Sequence, residues 1–381
     1  MKNPLSLPIL TKSIHGFIYS MFWVFVPIFL VEQGFSGVEI GLFIGLANLM
    51  AVITIFPAGL ANDRMHSKRI IFIALLVSII YYAGLLNTTN TLLLAGAFIF
   101  GGLGKNLFNV SVDSLAYRII DRKQSSRQLG KYLGYVVLIE TIGYMLGGSL
   151  INHLGFKNTI IVIIVLLIGA MFISRLLPMT HTFKFKLLKY KEDIFRKEVL
   201  LFMLVVFLFT LHFGAEKTSY SLFLHTRFNL NLEQTGLFIG TSIIFLALSS
   251  LFFGHKVQRG FNPRKVFYIG LFISGIGHAL LSLQTNVWLG LVIRCIHEFG
   301  DGAMMFSIYY GIVSIFDVDR IGGNASVISL TQIIGASTGA FIFGPVGAQY
   351  GYHIPLFASG ISTVLAACLL FFIDRKIKRT T

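Results

Sequence analysis

The pentapeptide Gly41-Leu42-Phe43-Ile44-Gly45 returns unchanged as Gly236-Leu237-Phe238-Ile239-Gly240, a displacement of 195 residues. The register then holds without a gap: Gly59 answers Gly254, Arg64 answers Arg259, Arg69 answers Arg264 and Phe72 answers Phe267. Both copies lie in apolar stretches that run into a basic turn. Self-similarity over about half a chain restricts the fold to two like halves built from the same succession of elements.

Hydropathy sets the environment of those elements. Of 381 residues, 55% are hydrophobic and 12% charged, and mean hydropathy is +0.79. No water-soluble domain of this length could cover so much apolar surface, so a bilayer must. A hydrocarbon core about 30 Å thick takes roughly 20 helical residues to cross. On that measure the sequence predicts twelve spans, at 10–32, 38–61, 69–87, 92–119, 128–152, 157–178, 197–225, 233–256, 264–284, 287–316, 322–348 and 354–374. The expected fold is an all-α membrane protein with two pseudo-symmetric six-helix bundles, 1–178 and 197–381. Residues 179–196 form a cytoplasmic linker, read either as an amphipathic helix on the inner surface or as a solvated basic loop.

With both termini in the cytoplasm, 26 of the 31 Lys and Arg residues fall in cytoplasmic segments or helix ends. Lys157 and Arg227 sit in outer loops, and Lys105, Lys217 and Arg294 lie within spans. That asymmetry argues for a multi-pass protein of the cytoplasmic membrane with both ends inside. The net charge of +15 is spread over short clusters between apolar segments, which excludes a single nucleic-acid-binding patch. Cys295 and Cys368 both fall in apolar segments, so neither a disulfide framework nor a metal-type cysteine spacing exists. No removable signal peptide is expected. A duplicated chain of many spans points to a transporter with its substrate path between the halves.

Six plus six spans, with a basic turn between spans 2 and 3 repeated between spans 8 and 9, resemble the major facilitator superfamily over essentially the whole chain. Its best-known motif appears as Gly59, Asp63, Arg64, Lys68 and Arg69, with His66 in place of a Gly and Asn62 in place of an Ala. Gly59 permits close helix packing, Asp63 can accept from the N-terminus of a neighbouring helix, and the basic residues stay in the cytosol. The resemblance makes this motif a gate of the inner face. The second copy keeps Gly254, Arg259 and Arg264 but has Gln258 for the acid.

A finer resemblance is carried by the run Phe213 to Leu222, with Glu216 ahead of Tyr220-Ser221-Leu222, and by Phe299-Gly300-Asp301-Gly302. These are similar to helices 7 and 10 of twelve-helix drug:proton antiporters. What that implies is a proton-coupling role for Glu216 and Asp301. Gly134, Gly143 and Gly147 fall at the spacing of the helix-5 antiporter motif, with Gly148 where its Pro would stand.

Five acids lie within spans: Asp113, Glu140, Glu216, Glu298 and Asp301. Each costs roughly 3 kcal/mol at mid-bilayer, so each must face a cavity or a partner. Arg294, His297, Glu298 and Asp301 form one helical stripe, with Arg294–Glu298 and His297–Asp301 at i,i+4. Such a stripe cannot face lipid, and it lines either the path or a structural network. His212 and Glu216 stand at i,i+4, followed on the same face by Ser219 and Tyr220, while Lys217 points about 100° away.

Lys105, Asn109 and Asp113 share one line. Lys105 can meet either Asp301 or an anionic substrate, and Asp113 reads as a gate ion-pair partner. Glu140 has no base within three or four positions; its repeat mate is Gln332. A lone acid in low dielectric suits a proton carrier or a hydrogen-bonded neutral acid. His278 reads as structural.

The leading reading is a proton-coupled secondary transporter that works by alternating access and exports an amphipathic cationic or zwitterionic small molecule. Five acids against three bases within the spans suit a cation, and abundant Phe and Tyr suit an apolar one. Substrate contacts fall to Arg294, His297, Glu298, Lys105, Asn109, His212, Tyr220 and Gln332. Three other readings stay open: proton-linked uptake of an anion held by Arg294, Lys105 and Lys217; divalent-metal transport through His15, His212, Glu216, His297 and Asp301; and a lipid flippase or receptor. No phosphate loop, nucleophile elbow or zinc motif occurs, so no enzyme and no cofactor is expected, and an ion gradient is the energy source. The expected partners are the small-molecule substrate, protons and the bilayer, with the chain a monomer.

Overall fold

A computed structural model describes residues 4–86, 90–180, 182–183 and 187–380, without the side chains of residues 37–38 and 372–380. Lys2, Lys184 and Lys186, and the side chains of Arg375, Lys376, Lys378 and Arg379, which entered the topology argument, lie outside the described residues. The described residues form helices joined by turns and short connections, and contain no strand. In order the helices are α1 (Ser6–Trp23), α2 (Val26–Glu32), α3 (Gly37–Arg64), α4 (Ser67–Leu85), α5 (Thr91–Ile119) and α6 (Ser125–Ser174). They continue with α7 (Leu187–Ile194), α8 (Lys197–Ala215), a π turn (Glu216–Tyr220), α9 (Ser221–Phe228) and α10 (Leu232–Gln258). The last are α11 (Pro263–Ser282), α12 (Val287–Ile315), α13 (Ile321–Tyr350) and α14 (His353–Thr380).

Ten helical stretches are long and apolar enough to cross a bilayer. One of them, Arg122–Ser174, is two spans, because Gly155 at φ 75° turns the chain inside it. A left-handed φ is open to glycine at little cost, so a Gly here divides the run without a loop. Helix α12 is also long enough but carries Arg294, Glu298 and Asp301. With these two the twelve-span, all-α membrane fold stands. The first span differs in detail from its expected form: α1 ends at Trp23 and α2 restarts with a proline in its first turn. Pro27 lacks the N–H that would continue the ladder and fits the first turn of a new helix.

The repeat extends into the loops. Ser36 caps α3 through a capping box with Glu39, and Asn231 caps α10 through one with Gln234. Asn90 caps α5 and Asn286 takes the same place before α12. Four of the five left-handed residues among those described repeat too, Gly34 with Asn229 and Gly155 with Gly351. Each pair satisfies helix-end N–H groups, or reverses the chain, at the same point of its half.

The chain forms two compact units that trade short segments between the sequence halves. The first comprises 1–121, 139–195 and 312–330, and the second 122–138, 196–311 and 331–381. In the first, α5 packs on α3 and α4 through small residues: an added Cβ on Gly102 would strike the backbone of Ala47, and one on Gly104 would strike Ser78. The second repeats this design, with Gly300 of α12 against Ser274 of α11 and Gly302 against Leu246 of α10. Helices that approach this closely hold the residues between such glycines in a fixed orientation. Asp301 sits between those two.

Candidate functional site

In the second unit, four elements bring eight side chains together. Helix α8 supplies His212, the π turn supplies Glu216 and Tyr220, α11 supplies His278, and α12 supplies Arg294, His297, Glu298 and Asp301. All are buried except Glu216, whose side chain keeps 16% of its surface exposed. Arg294 is the hub. Its Nη1 donates to Glu216 Oε1 at 2.5 Å, its Nη2 lies 2.6 Å from Glu298 Oε1, and its guanidinium stacks over the Tyr220 ring at 4.1 Å. Two carboxylates and an aromatic face thus meet one desolvated cation.

The imidazoles are oriented by the backbone. His212 Nδ1 lies 2.5 Å from the Phe209 carbonyl and His297 Nδ1 lies 2.7 Å from the Ser274 carbonyl. A carbonyl only accepts, so both Nδ1 atoms carry hydrogen. In the neutral rings each Nε2 then presents a lone pair to the cluster. His297 Nε2 faces Glu216 Oε1 at 3.1 Å and Asp301 Oδ2 at 3.3 Å, and His212 Nε2 faces Asp301 Oδ2 at 3.3 Å. Lone pairs opposed at these distances repel unless a cation lies between them. With neutral imidazoles, three carboxylates and one guanidinium leave a charge of −2. In that state the cluster can accept cations.

His278, read as structural from the sequence, belongs to this site. Its ring centroid is 4.7 Å from that of His297 and 5.6 Å from that of His212. One signal for it lay in the sequence: Ser274, His278 and Ser282 stand at i,i+4,i+8 in an apolar helix, and all three are buried. The π turn left no sequence signal. Across it Glu216 and Tyr220 still meet at Arg294, as their expected shared face requires, while Ser219 lies against Gly347. Lys217 is exposed.

The remaining expected residues lie elsewhere. In the first unit, Lys105 Nζ donates to Tyr19 at 2.8 Å and lies over the rings of Tyr19 and Trp23, at 4.0 and 5.0 Å from their centroids. His15, grouped above with the metal-binding set, stacks on Phe108 at 3.7 Å in this unit. Asp113 forms an ion pair with Lys12. Glu140 lies over Gly16 of α1, with Tyr144 donating to it. Asn109 is half-buried on α5, and Gln332, in the second unit, is half-buried on α13.

Asp63 is fully buried in the first unit. Its carboxylate accepts from the backbone N–H of Gly322 at 2.9 Å and Gly323 at 2.7 Å, at the start of α13. The Tyr190 hydroxyl donates to it at 3.0 Å, and Arg118 completes an ion pair. Burial, and then the Asp63 carboxylate, push the Tyr190 phenol well above its ordinary range, so it stays a neutral donor. Gly59 lies one turn earlier against Gly322 and Ser326, where a side chain would not fit. Arg64 and Arg69 are exposed beyond it.

A duplicated bundle of twelve spans with buried ionisable clusters defines a multi-pass membrane transporter, not an enzyme. The family model described as Major Facilitator Superfamily matches residues 9–259 and again 202–381. The chain belongs to that superfamily, whose members bind small-molecule substrates within the membrane. Comparison with curated proteins gave no match. Among solved structures, the human organic anion transporter MFSD10 (TETRAN) is similar, with a TM-score of 0.78 at 13% identity over 96% of this chain and 98% of that one. A bacterial homologue of the iron transporter ferroportin in its outward-facing state gives 0.73 at 13% identity, over 98% and 100%. The transporter FucP in its outward conformation gives 0.73 at 12% identity, over 96% and 99%. At these identities the likeness is one of fold.

Proposed function

We propose that the chain is a proton-coupled secondary active transporter of the cytoplasmic membrane that works as a monomer by alternating access and exports a cationic or zwitterionic solute. Its basic turns and both termini face the cytoplasm. The observation that carries the reading is the buried cluster around Arg294. There, Nε2 atoms and carboxylate oxygens oppose each other across 3.1–3.3 Å with only one fixed cation to balance three acids. A proton fills such a gap in one state and leaves it in another, which is what coupling requires. Glu216 is the member of the cluster in reach of the surroundings. The export direction and the amphipathic character of the solute rest on the resemblance to drug:proton antiporters.

The test is solute movement in proteoliposomes under an imposed pH gradient, assayed with a mixed panel of drugs and metabolites. Glu216→Gln and Asp301→Asn should each abolish gradient-driven movement while downhill exchange survives. Retention of full gradient-driven transport by both, with its loss in Glu140→Gln, would move the coupling site to the first unit.

A further inference from the structure

We propose that the same cluster is a binding site for a first-row divalent transition-metal ion, held by His212, Glu216, His278 and His297. The proposal deepens the cation-site reading above by naming a class of cation that the site takes besides the proton. The donor atoms of these four residues all lie within 4.8 Å of one another. A tetrahedral ion with bonds of about 2.0–2.1 Å holds its ligands roughly 3.4 Å apart. Glu216 Oε1 already stands 3.1 Å from His297 Nε2 and 3.9 Å from His278 Nδ1, which brackets that figure. Side-chain motion of about an ångström closes the rest.

Three further observations favour a metal over a merely structural network. First, His212 and His297 donate Nδ1–H to backbone carbonyls, the outer-shell arrangement that fixes the tautomer of a metal-binding imidazole and aims its free Nε2 inward. Second, His278 is fully buried, and neither of its ring nitrogens has a hydrogen-bond partner. An imidazole desolvated without a partner is costly, and a metal bond removes that cost. Asp301 Oδ1 is likewise buried without a partner. Third, the charge closes. Arg294 and Glu298 neutralise each other at 2.6 Å, so Glu216 and Asp301 together balance one dication.

The donor set selects the class of ion. Three imidazoles and a carboxylate suit Zn²⁺, Co²⁺, Ni²⁺, Cu²⁺ or Fe²⁺, whereas Mg²⁺ and Ca²⁺ want oxygen shells. Arg294 is the competitor, since it also holds Glu216. Its second carboxylate gives it somewhere to stay when Glu216 turns to a metal. The π turn that starts at Glu216 is a place where a helix can rewind to allow that turn.

The test is titration of the purified, detergent-solubilised protein with Co²⁺. The expected result is the intense visible ligand-field bands of a tetrahedral complex at one ion per chain, bleached by Zn²⁺ and unaffected by Mg²⁺. His278→Gln should weaken Co²⁺ binding by more than the roughly 10–100-fold that loss of an outer-shell partner costs, whereas His15→Gln, outside the set, should leave it unchanged. Zn X-ray absorption on the wild-type protein gives a readout that does not depend on how the variants fold, with three imidazoles expected. Absence of the bands, equal loss in both variants, or fewer than two imidazoles on zinc each overturns the proposal. If metal binding fails while Glu216→Gln and Asp301→Asn still abolish gradient-driven transport, only the metal site falls. If metal binds while those variants transport normally, only the proton assignment falls.

Discussion

Asp63 shows how much one side chain can decide. Its carboxylate joins α3 to the first turn of α13, where two backbone N–H groups and the positive end of the helix dipole meet it. Asn at this position has one acceptor fewer and sets an N–H₂ group against a backbone N–H. It also strips Arg118 of its counter-charge. Hydrogen bonds to charged groups are worth about 1.5–3 kcal/mol each, so the contact should open on the order of tenfold or more often. Asp63→Asn should therefore raise the rate at which a cysteine at Ser326 is labelled by a methanethiosulfonate reagent. Labelling at the wild-type rate would show that Asp63 does not hold these helices together.

Residues of this kind are legible because chemistry and spacing coincide. The stripe Arg294, His297, Glu298 and Asp301 is one face of one helix, and the periodicity alone exposes it. His278 escaped because it stands alone among apolar residues, and its meaning comes from α8 and α12 beside it. Spacing along one helix carries no information about the neighbouring helix.

Among the elements, the sequence of α7 fits two descriptions, amphipathic helix or basic loop. Charge patterning alone cannot separate these, since both put lysines in water. The structure has an eight-residue helix with Tyr190 buried in the first unit and Asp193 bound to Arg320 at 2.7 and 3.2 Å and to Asn324 at 2.8 Å. A helix this short is marginal in isolation, so its order depends on those anchors. Asp193→Ala should raise hydrogen exchange across residues 187–194 while leaving α4 and α5 protected. Tyr190→Phe, which loses one bond to Asp63 but keeps the buried ring, should have the smaller effect. Equal protection in Asp193→Ala and wild type would mean that burial of Tyr190 alone orders the linker. The spans themselves are readable from hydropathy; their starts are not, and the repeated caps at Ser36 and Asn231 fix two of them in the structure. The π turn is not readable either, because an inserted residue leaves composition and periodicity nearly intact.

For the whole molecule, the repeat predicts that residues 1–178 rock against 197–381, and the two sequence halves meet inside each compact unit. In the second unit the first turns of α6 lie against the end of α10. Ser126 Oγ donates to Gln258 Oε1 at 2.8 Å, Gln258 Nε2 donates to the Lys123 carbonyl at 2.9 Å, and Gly130 packs on Gly254 backbone to backbone. In the first unit α3 meets α13 through Gly59 and Asp63 in the same way. Both contacts lie beside basic turns, and both join elements from opposite halves of the repeat. Alternating access requires such contacts to break once per cycle. Ser126→Cys and Gln258→Cys, introduced together after replacement of Cys295 and Cys368, should therefore be joined by a short bifunctional methanethiosulfonate. Transport in proteoliposomes should then stop and return on reduction, while either single variant treated alike keeps its activity. Full transport by the crosslinked protein would mean that these ends never part, and the rocking of the halves would have to be abandoned.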